Sequence, residues 1–183
     1  IARMILARAG SLRMPARWFT LTQNWRYERM TRDRRREHYQ WNMDMVGVPN
    51  EHAELELLAA AVCFFQRVGL TSEEVGIKVN SRTVLEALLA KYGISSTTDS
   101  DIFPKACVII DKLDKIGGEA VICMLGEIGV SEESATAILQ ALEAPSLEAL
   151  ADIVGDADSP ALTQLQRLFR LAESYGIADY LVL

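Results

Sequence analysis

The stretch from Trp18 to Val48, WFTLTQNWRYERMTRDRRREHYQWNMDMVGV, limits the fold more than any other part of the chain. Two runs, Trp18 to Arg29 and His38 to Val46, alternate with period two, and the basic segment between them is too polar for a core. That pattern predicts an antiparallel hairpin. Side chains on a strand point alternately to opposite sides, so Phe19, Leu21, Trp25 and Tyr27 share one face with Tyr39, Trp41, Met43 and Met45, and that face is expected to be core. The other face collects Arg26, Glu28, Gln40, Asn42 and Asp44. It is either wet or a binding site, since antiparallel sheets commonly keep one polar side in water. Solvated strands usually carry Thr, Lys and Glu; the Arg, Gln, Asn and Asp here are suited to directional hydrogen bonding. Arg29, Arg32, Arg34, Arg35 and Arg36 crowd the connection, and planar guanidinium forks fit phosphates in a bidentate manner, which makes a polyanion the natural partner.

The charge balance points to the same region. The formal net charge of −6 conceals a basic part, residues 1–50, with ten Arg and four acids, and an acidic remainder with nine basic and 21 acidic residues. One concentrated positive region in an acidic protein suits a localised phosphate site better than indiscriminate nucleic-acid coating. With 183 residues, 50% of them apolar, there is material for one sizeable core or two small ones. Cys63, Cys107 and Cys123 sit in apolar runs and read as buried thiols of a reducing compartment. They form neither a CxxC pair nor a Cys/His cluster, so no metal site is expected. No apolar stretch approaches the roughly 20 residues of a membrane span. The chain begins at Ile1 without an initiator Met or a targeting segment and reads as an excised piece.

In chain order, IARMILARA is a short helical pattern closed by Gly10-Ser11. After the hairpin, Gly47, Pro49 and Asn50 make a turn, and EHAELELLAAAVCFFQRVG is a helix ending at Gly69. VGIKVN reads as a strand, and Ser81 as the cap of the helix TVLEALLAKYG. The expected class is therefore α+β, a sheet with helices on one side. The polar segment 94–104 marks a loop and a boundary, so that residues 1–100 form one domain. Short helices separated by Gly, Ser or Pro then fill 101–176, with Ser159-Pro160 as a cap and first-turn proline. IADYLVL, 177–183, reads as the first half of a strand whose partners or continuation are absent.

RWFTLTQNWRYERMTRDRRREHYQWNMDMVGV resembles motif 2 of the class II aminoacyl-tRNA synthetases, and RYER followed by RRREHYQWNMD resembles the histidyl-tRNA synthetases in particular. AELELL, VNSR and the helical stretch from about 105 to 175, similar to the insertion between motifs 2 and 3, extend the likeness over nearly the whole chain. The resemblance implies an internal piece of the catalytic domain: part of the class II antiparallel sheet with flanking helices, plus a small all-helical insertion subdomain. Arg26 then matches the arginine that contacts the α-phosphate of ATP and the amino-acid carboxylate as they react. Glu28 matches the glutamate that holds the adenine amino group, Gln40 the amide that receives the substrate's α-amino end, and Asp44 the carboxylate that accepts a hydrogen bond from the imidazole. His38 stands where an aromatic ring usually stacks on adenine, and reads as a stacking imidazole or as a surface histidine. Arg29 and Arg36 match positions that approach the triphosphate, while Arg32, Arg34 and Arg35 either touch the acceptor end of tRNA or keep the loop soluble. His52, at a helix start, reads as solvated.

The implied reaction is ATP-dependent activation of L-histidine followed by transfer to tRNA(His), with Mg2+ accompanying the nucleotide through its phosphate oxygens and no metal held by the protein. The implied whole protein is a homodimer that does not enter a membrane. REHYQWNMD is closest to plant-type or organellar spellings, implying a chloroplast or mitochondrion, with the cytoplasm as the other location. Motifs 1 and 3, the histidine-specific segment and the anticodon-binding domain are not in these residues, so the 183-residue piece alone is expected to be inactive. Two other readings share the fold: a catalytically silent paralogue serving as a regulatory subunit of histidine biosynthesis, and a tRNA-sensing module.

Overall fold

A computed structural model describes residues 1–32, 34–95, 101–144, 146–155 and 159–183. The chain divides into two compact units, Ile1–Thr71 and Ser72–Leu183.

In the first unit a short helix α1 (Ala2–Leu6) precedes strands β1 (Ala16–Trp25) and β2 (Glu37–Val46), and helix α2 (His52–Arg67) follows. The strands pair antiparallel over their whole length, from Ala16 opposite Val46 to Trp25 opposite Glu37. This pairing keeps the alternation seen in the sequence, with the amides of both strands on one side. Gly47 leaves β2 at φ +89°, a conformation that glycine adopts without a Cβ penalty. Helix α2 reaches the odd-numbered face: Phe64 meets Trp41 edge-on with ring centroids 5.8 Å apart, and Arg17 Nη2 donates to Glu56 Oε2 at 3.0 Å.

That face is not the core its pattern implied. Phe19 is 74% exposed, Trp25 70% and Tyr39 74%, and Leu21 and Tyr27 are also exposed. Strand periodicity says which side is apolar, whereas burial depends on what packs there, and α2 covers only one end. The even-numbered face is the more sheltered one, with Trp18, Asn24, His38, Gln40, Asn42 and Asp44 all half-buried.

The second unit holds a short strand β3 (Ile77–Lys78), helices α3 (Arg82–Lys91), α4 (Ile102–Ile110), α5 (Leu113–Ile116), α6 (Gly118–Glu127), α7 (Glu132–Leu142), α8 (Leu147–Val154) and α9 (Pro160–Ser174), a single 3-10 turn (Ala178–Tyr180) and strand β4 (Leu181–Val182). Leu88, Leu89 and Ile94 share one core with Phe103, Ala106, Val121, Leu125 and Ile138. A boundary near residue 100 therefore does not coincide with a break in packing; residues 96–100 of the expected loop lie outside the described residues. A second cluster joins Val84 of α3 to Leu150, Leu162 and Leu165 of α8 and α9. Ser159 caps α9, its Oγ accepting from Leu162 N at 3.3 Å, with Pro160 in the first helical turn. Ser81 stands at the start of α3, but its hydroxyl pairs with Thr83 Oγ1 at 2.7 Å and caps no backbone N–H.

One expectation about strands changes. IADYLVL does not lack a partner: β3 and β4 form a parallel pair, Ile77 opposite Leu181 and Lys78 opposite Val182. The cysteines also depart from expectation, because Cys63 and Cys123 lie on outward faces of α2 and α6 and are exposed. Cys107 is half-buried, and partial burial pushes its thiol above its ordinary value.

Candidate functional site

The hairpin register decides which candidate residues meet. Thr22 stands opposite Gln40, Asn24 opposite His38, Thr20 opposite Asn42 and Trp18 opposite Asp44. The ladder continues one step past the strand ends, where Arg26 N donates to Arg36 O at 2.8 Å. Arg26 therefore stands opposite Arg36, one step past the last strand pair, which by strand parity is the side of His38, Gln40, Asn42 and Asp44.

Beyond Arg26 the connection folds back. Glu28 N donates to Arg26 O at 3.0 Å and Thr31 N to Arg34 O at 3.3 Å, a turned loop that gathers charge around Glu28. Arg26 Nη1 and Arg34 Nη1 each lie 3.7 Å from a Glu28 carboxylate oxygen. Arg36 donates from Nε to the Glu28 carbonyl at 3.3 Å and stacks its guanidinium 4.5 Å over the Tyr27 ring. These pairs are largely exposed, so each contributes at most about 1 kcal/mol to stability. They hold the guanidinium groups in place without neutralising them all.

Along the strands the polar groups are joined. Asn24 Nδ2 donates to Gln40 Oε1 at 3.1 Å, and Gln40 Nε2 donates to Asn42 Oδ1 at 2.7 Å. The Asp44 side chain, at the far end, is half-buried and makes neither hydrogen bond nor ion pair among the described residues. Arg29 is exposed and likewise not drawn into the cluster. Arg32, Arg35, Arg36 and His38 line an open concavity of about 830 Å³ with Trp25 and Tyr39. His52 is exposed at the start of α2. Sequence reasoning left Arg34 undecided and passed over Asn24, although its even position in the alternating run already put it beside Gln40.

Among the described residues no cluster of three or more His, Cys, Asp or Glu could hold a metal ion. What the even face offers is cationic and amide groups in a row, suited to a phosphate at one end and to a polar organic ligand along the strands.

No protein-family profile matches the chain. A chloroplastic/mitochondrial histidine–tRNA ligase from Arabidopsis thaliana is 46% identical over 181 residues, covering 99% of this chain. In sequence, this chain is similar to histidine–tRNA ligases. The Haloarcula marismortui histidine–tRNA ligase is 33% identical over 184 residues, again 99% of this chain. The chain spans 36% of the first histidine–tRNA ligase and 41% of the second. Among solved structures, a histidyl-tRNA synthetase from Nostoc sp. superposes on 100% of the chain and 43% of its own with a TM-score of 0.78 at 20% identity. An ATP phosphoribosyltransferase regulatory subunit/histidyl-tRNA synthetase from Bacillus halodurans superposes on 98% of the chain and 46% of its own, TM-score 0.73 at 17% identity. These two likenesses establish the fold, the α+β architecture expected from the hairpin, the helices and the resemblance.

Proposed function

We propose that the protein containing this chain is a histidine–tRNA ligase: it activates L-histidine with ATP and transfers it to the 3′ end of tRNA(His). The observation that carries the reading is the order of groups along the hairpin. Glu28 and Arg26 stand at one end, Gln40 lies four residues along β2 from the position opposite Arg26, and Asp44 lies four further. Adenine, α-phosphate, amino group and imidazole follow one another in the same order in an extended histidyl-adenylate.

In this mechanism a histidine carboxylate oxygen attacks the α-phosphorus of ATP, the bond to the bridging oxygen breaks, and pyrophosphate leaves. Arg26 binds the α-phosphate oxygens and the attacking carboxylate, stabilising negative charge that spreads over phosphorus in the transition state. Glu28 accepts from the adenine amino group, His38 stacks on the ring, and Arg29 and Arg36 steer the outgoing phosphates. Mg2+ arrives with the nucleotide and is held through phosphate oxygens. The terminal ribose hydroxyl of tRNA then attacks the activated carbonyl, AMP leaves, and Arg32 and Arg35 contact the acceptor end.

Histidine is selected because its imidazole N–H satisfies the carboxylate of Asp44, which an apolar competitor would leave without a partner. Residues 1–100 and 177–183 belong to the catalytic core in this reading and 101–176 to the helical insertion, a division by role that need not follow packing. The whole protein works as a homodimer, and an organelle is the location proposed for it, a reading supported by likeness to a chloroplastic/mitochondrial relative. No helix among the described residues is long and apolar enough to cross a membrane.

A silent regulatory paralogue is the rival, given the Bacillus halodurans neighbour. Against it stand Arg26 and Glu28, kept together at 3.7 Å, since a regulator has no need to hold ATP. The test is histidine-dependent ATP–pyrophosphate exchange by the full-length protein. Arg26→Ala should lower kcat by about 10²- to 10³-fold, and Arg26→Lys should not restore it because the bidentate fork is lost. An inactive full-length protein, or an active Arg26→Ala variant, would overturn the proposal.

A further inference from the structure

We infer that Asn24 is a positioning residue that sets the specificity for the substrate's α-ammonium, by fixing which way the Gln40 amide faces. The inference rests on the proposed function and deepens it. A glutamine amide has a carbonyl and an NH2 of nearly the same shape, so its orientation is decided by its neighbours. An ammonium group carries only donors, and only the carbonyl end of Gln40 can accept from it.

The network on the even face has one direction. Thr22 Oγ1 lies 3.5 Å from Asn24 Oδ1, and the Asn24 amide nitrogen faces Gln40. Asn24 Nδ2 donates to Gln40 Oε1 at 3.1 Å, and Gln40 Nε2 donates to Asn42 Oδ1 at 2.7 Å. Gln40 Oε1 is thus held on the Asn24 side, toward the end of the strand that leads to Arg26, with one lone pair occupied and the second open to a ligand. The Gln40 NH2 is turned along β2 toward Asn42, on the side of Asp44. An amino acid whose carboxylate lies by Arg26 and whose ring lies by Asp44 therefore presents its ammonium to an acceptor and not to a second donor.

Asn24 and Asn42 receive the same isosteric substitution with opposite consequences. Asn24→Asp removes the Asn24 donor to Oε1 and installs an acceptor, so the Gln40 amide turns over and offers N–H to the ammonium. Asn42→Asp keeps the acceptor for Nε2, preserves the orientation and adds an anion near the ammonium. If charge alone mattered, both variants would bind the cation more tightly.

The experiment measures inhibition of pyrophosphate exchange in the full-length protein by histidinol, which has the ammonium, and by imidazolelactate, which has a hydroxyl in its place. Expected for Asn24→Asp are a rise of about tenfold or more in the histidinol inhibition constant and in KM for histidine, one charge-assisted hydrogen bond, with kcat and the imidazolelactate constant nearly unchanged. Asn42→Asp should lower the histidinol constant. Unchanged imidazolelactate binding also certifies that the site is folded. Equal shifts for both inhibitors, or shifts of the same sign in the two variants, would overturn the inference. Absence of histidine-dependent exchange in the unmodified protein would instead overturn the proposed function on which it rests.

Discussion

At the scale of single residues, the hairpin separates groups that bind charge from groups that discriminate. Arg26 is held beside Glu28 and can respond to a phosphate, whereas half-buried Asp44 has no protein partner among the described residues. A partly desolvated carboxylate left without a donor is costly, and an imidazole N–H relieves that cost. Asp44→Ala should therefore lower kcat/KM for histidine by roughly 10- to 100-fold, the value of one hydrogen bond to a charged group, while KM for ATP stays the same. Steady-state kinetics with each substrate varied in turn checks this; an equal loss toward ATP would mean that Asp44 supports the hairpin generally. Cysteine placement was the residue-scale feature the sequence hid. Cys63 and Cys123 lie in apolar runs but point outward, because a helix turns by about 100° per residue and an apolar neighbourhood in sequence does not fix the direction of one side chain.

At the scale of elements, the exit from β2 is the sharpest constraint. Gly47 has φ +89°, and a Cβ there would come within 3.1 Å of Met14 Sδ. Gly47→Ala should destabilise the unit by about 1–2 kcal/mol from backbone conformation alone, read as a lower midpoint in denaturant with an unchanged m-value. An unaltered midpoint would mean that the turn relaxes freely. The hairpin itself was legible because both strands alternate over nearly their full length, which fixes the residues that share a face though not the register. The β3–β4 pair was not legible: each strand is two residues long, and a parallel pair requires a long crossover, so no local pattern announces the partner. The odd-numbered face shows the same limit from the other direction. Its apolar character is written in Phe19, Leu21 and Trp25, but their exposure depends on the reach of α2, which the strands do not encode.

At the scale of the whole molecule, charge and shape divide the work. The basic first 50 residues carry the hairpin and its arginine loop, and the acidic remainder supplies α2 and the helical unit. That division, like the identity of the even-face residues, could be read from the sequence because it depends on composition and period alone. The direction of the amide network could not, since it requires knowing that Asn24 reaches diagonally across the strands to Gln40. Because the chain spans 36% of its Arabidopsis relative, the decisive measurement belongs to the full-length protein. A crystal structure with a non-hydrolysable histidyl-adenylate analogue should show the ligand stretched along the even-numbered face, phosphate at Arg26, amino group at Gln40 and imidazole at Asp44. Density for the analogue on the odd-numbered face, away from Arg26, Gln40 and Asp44, would contradict the assignment.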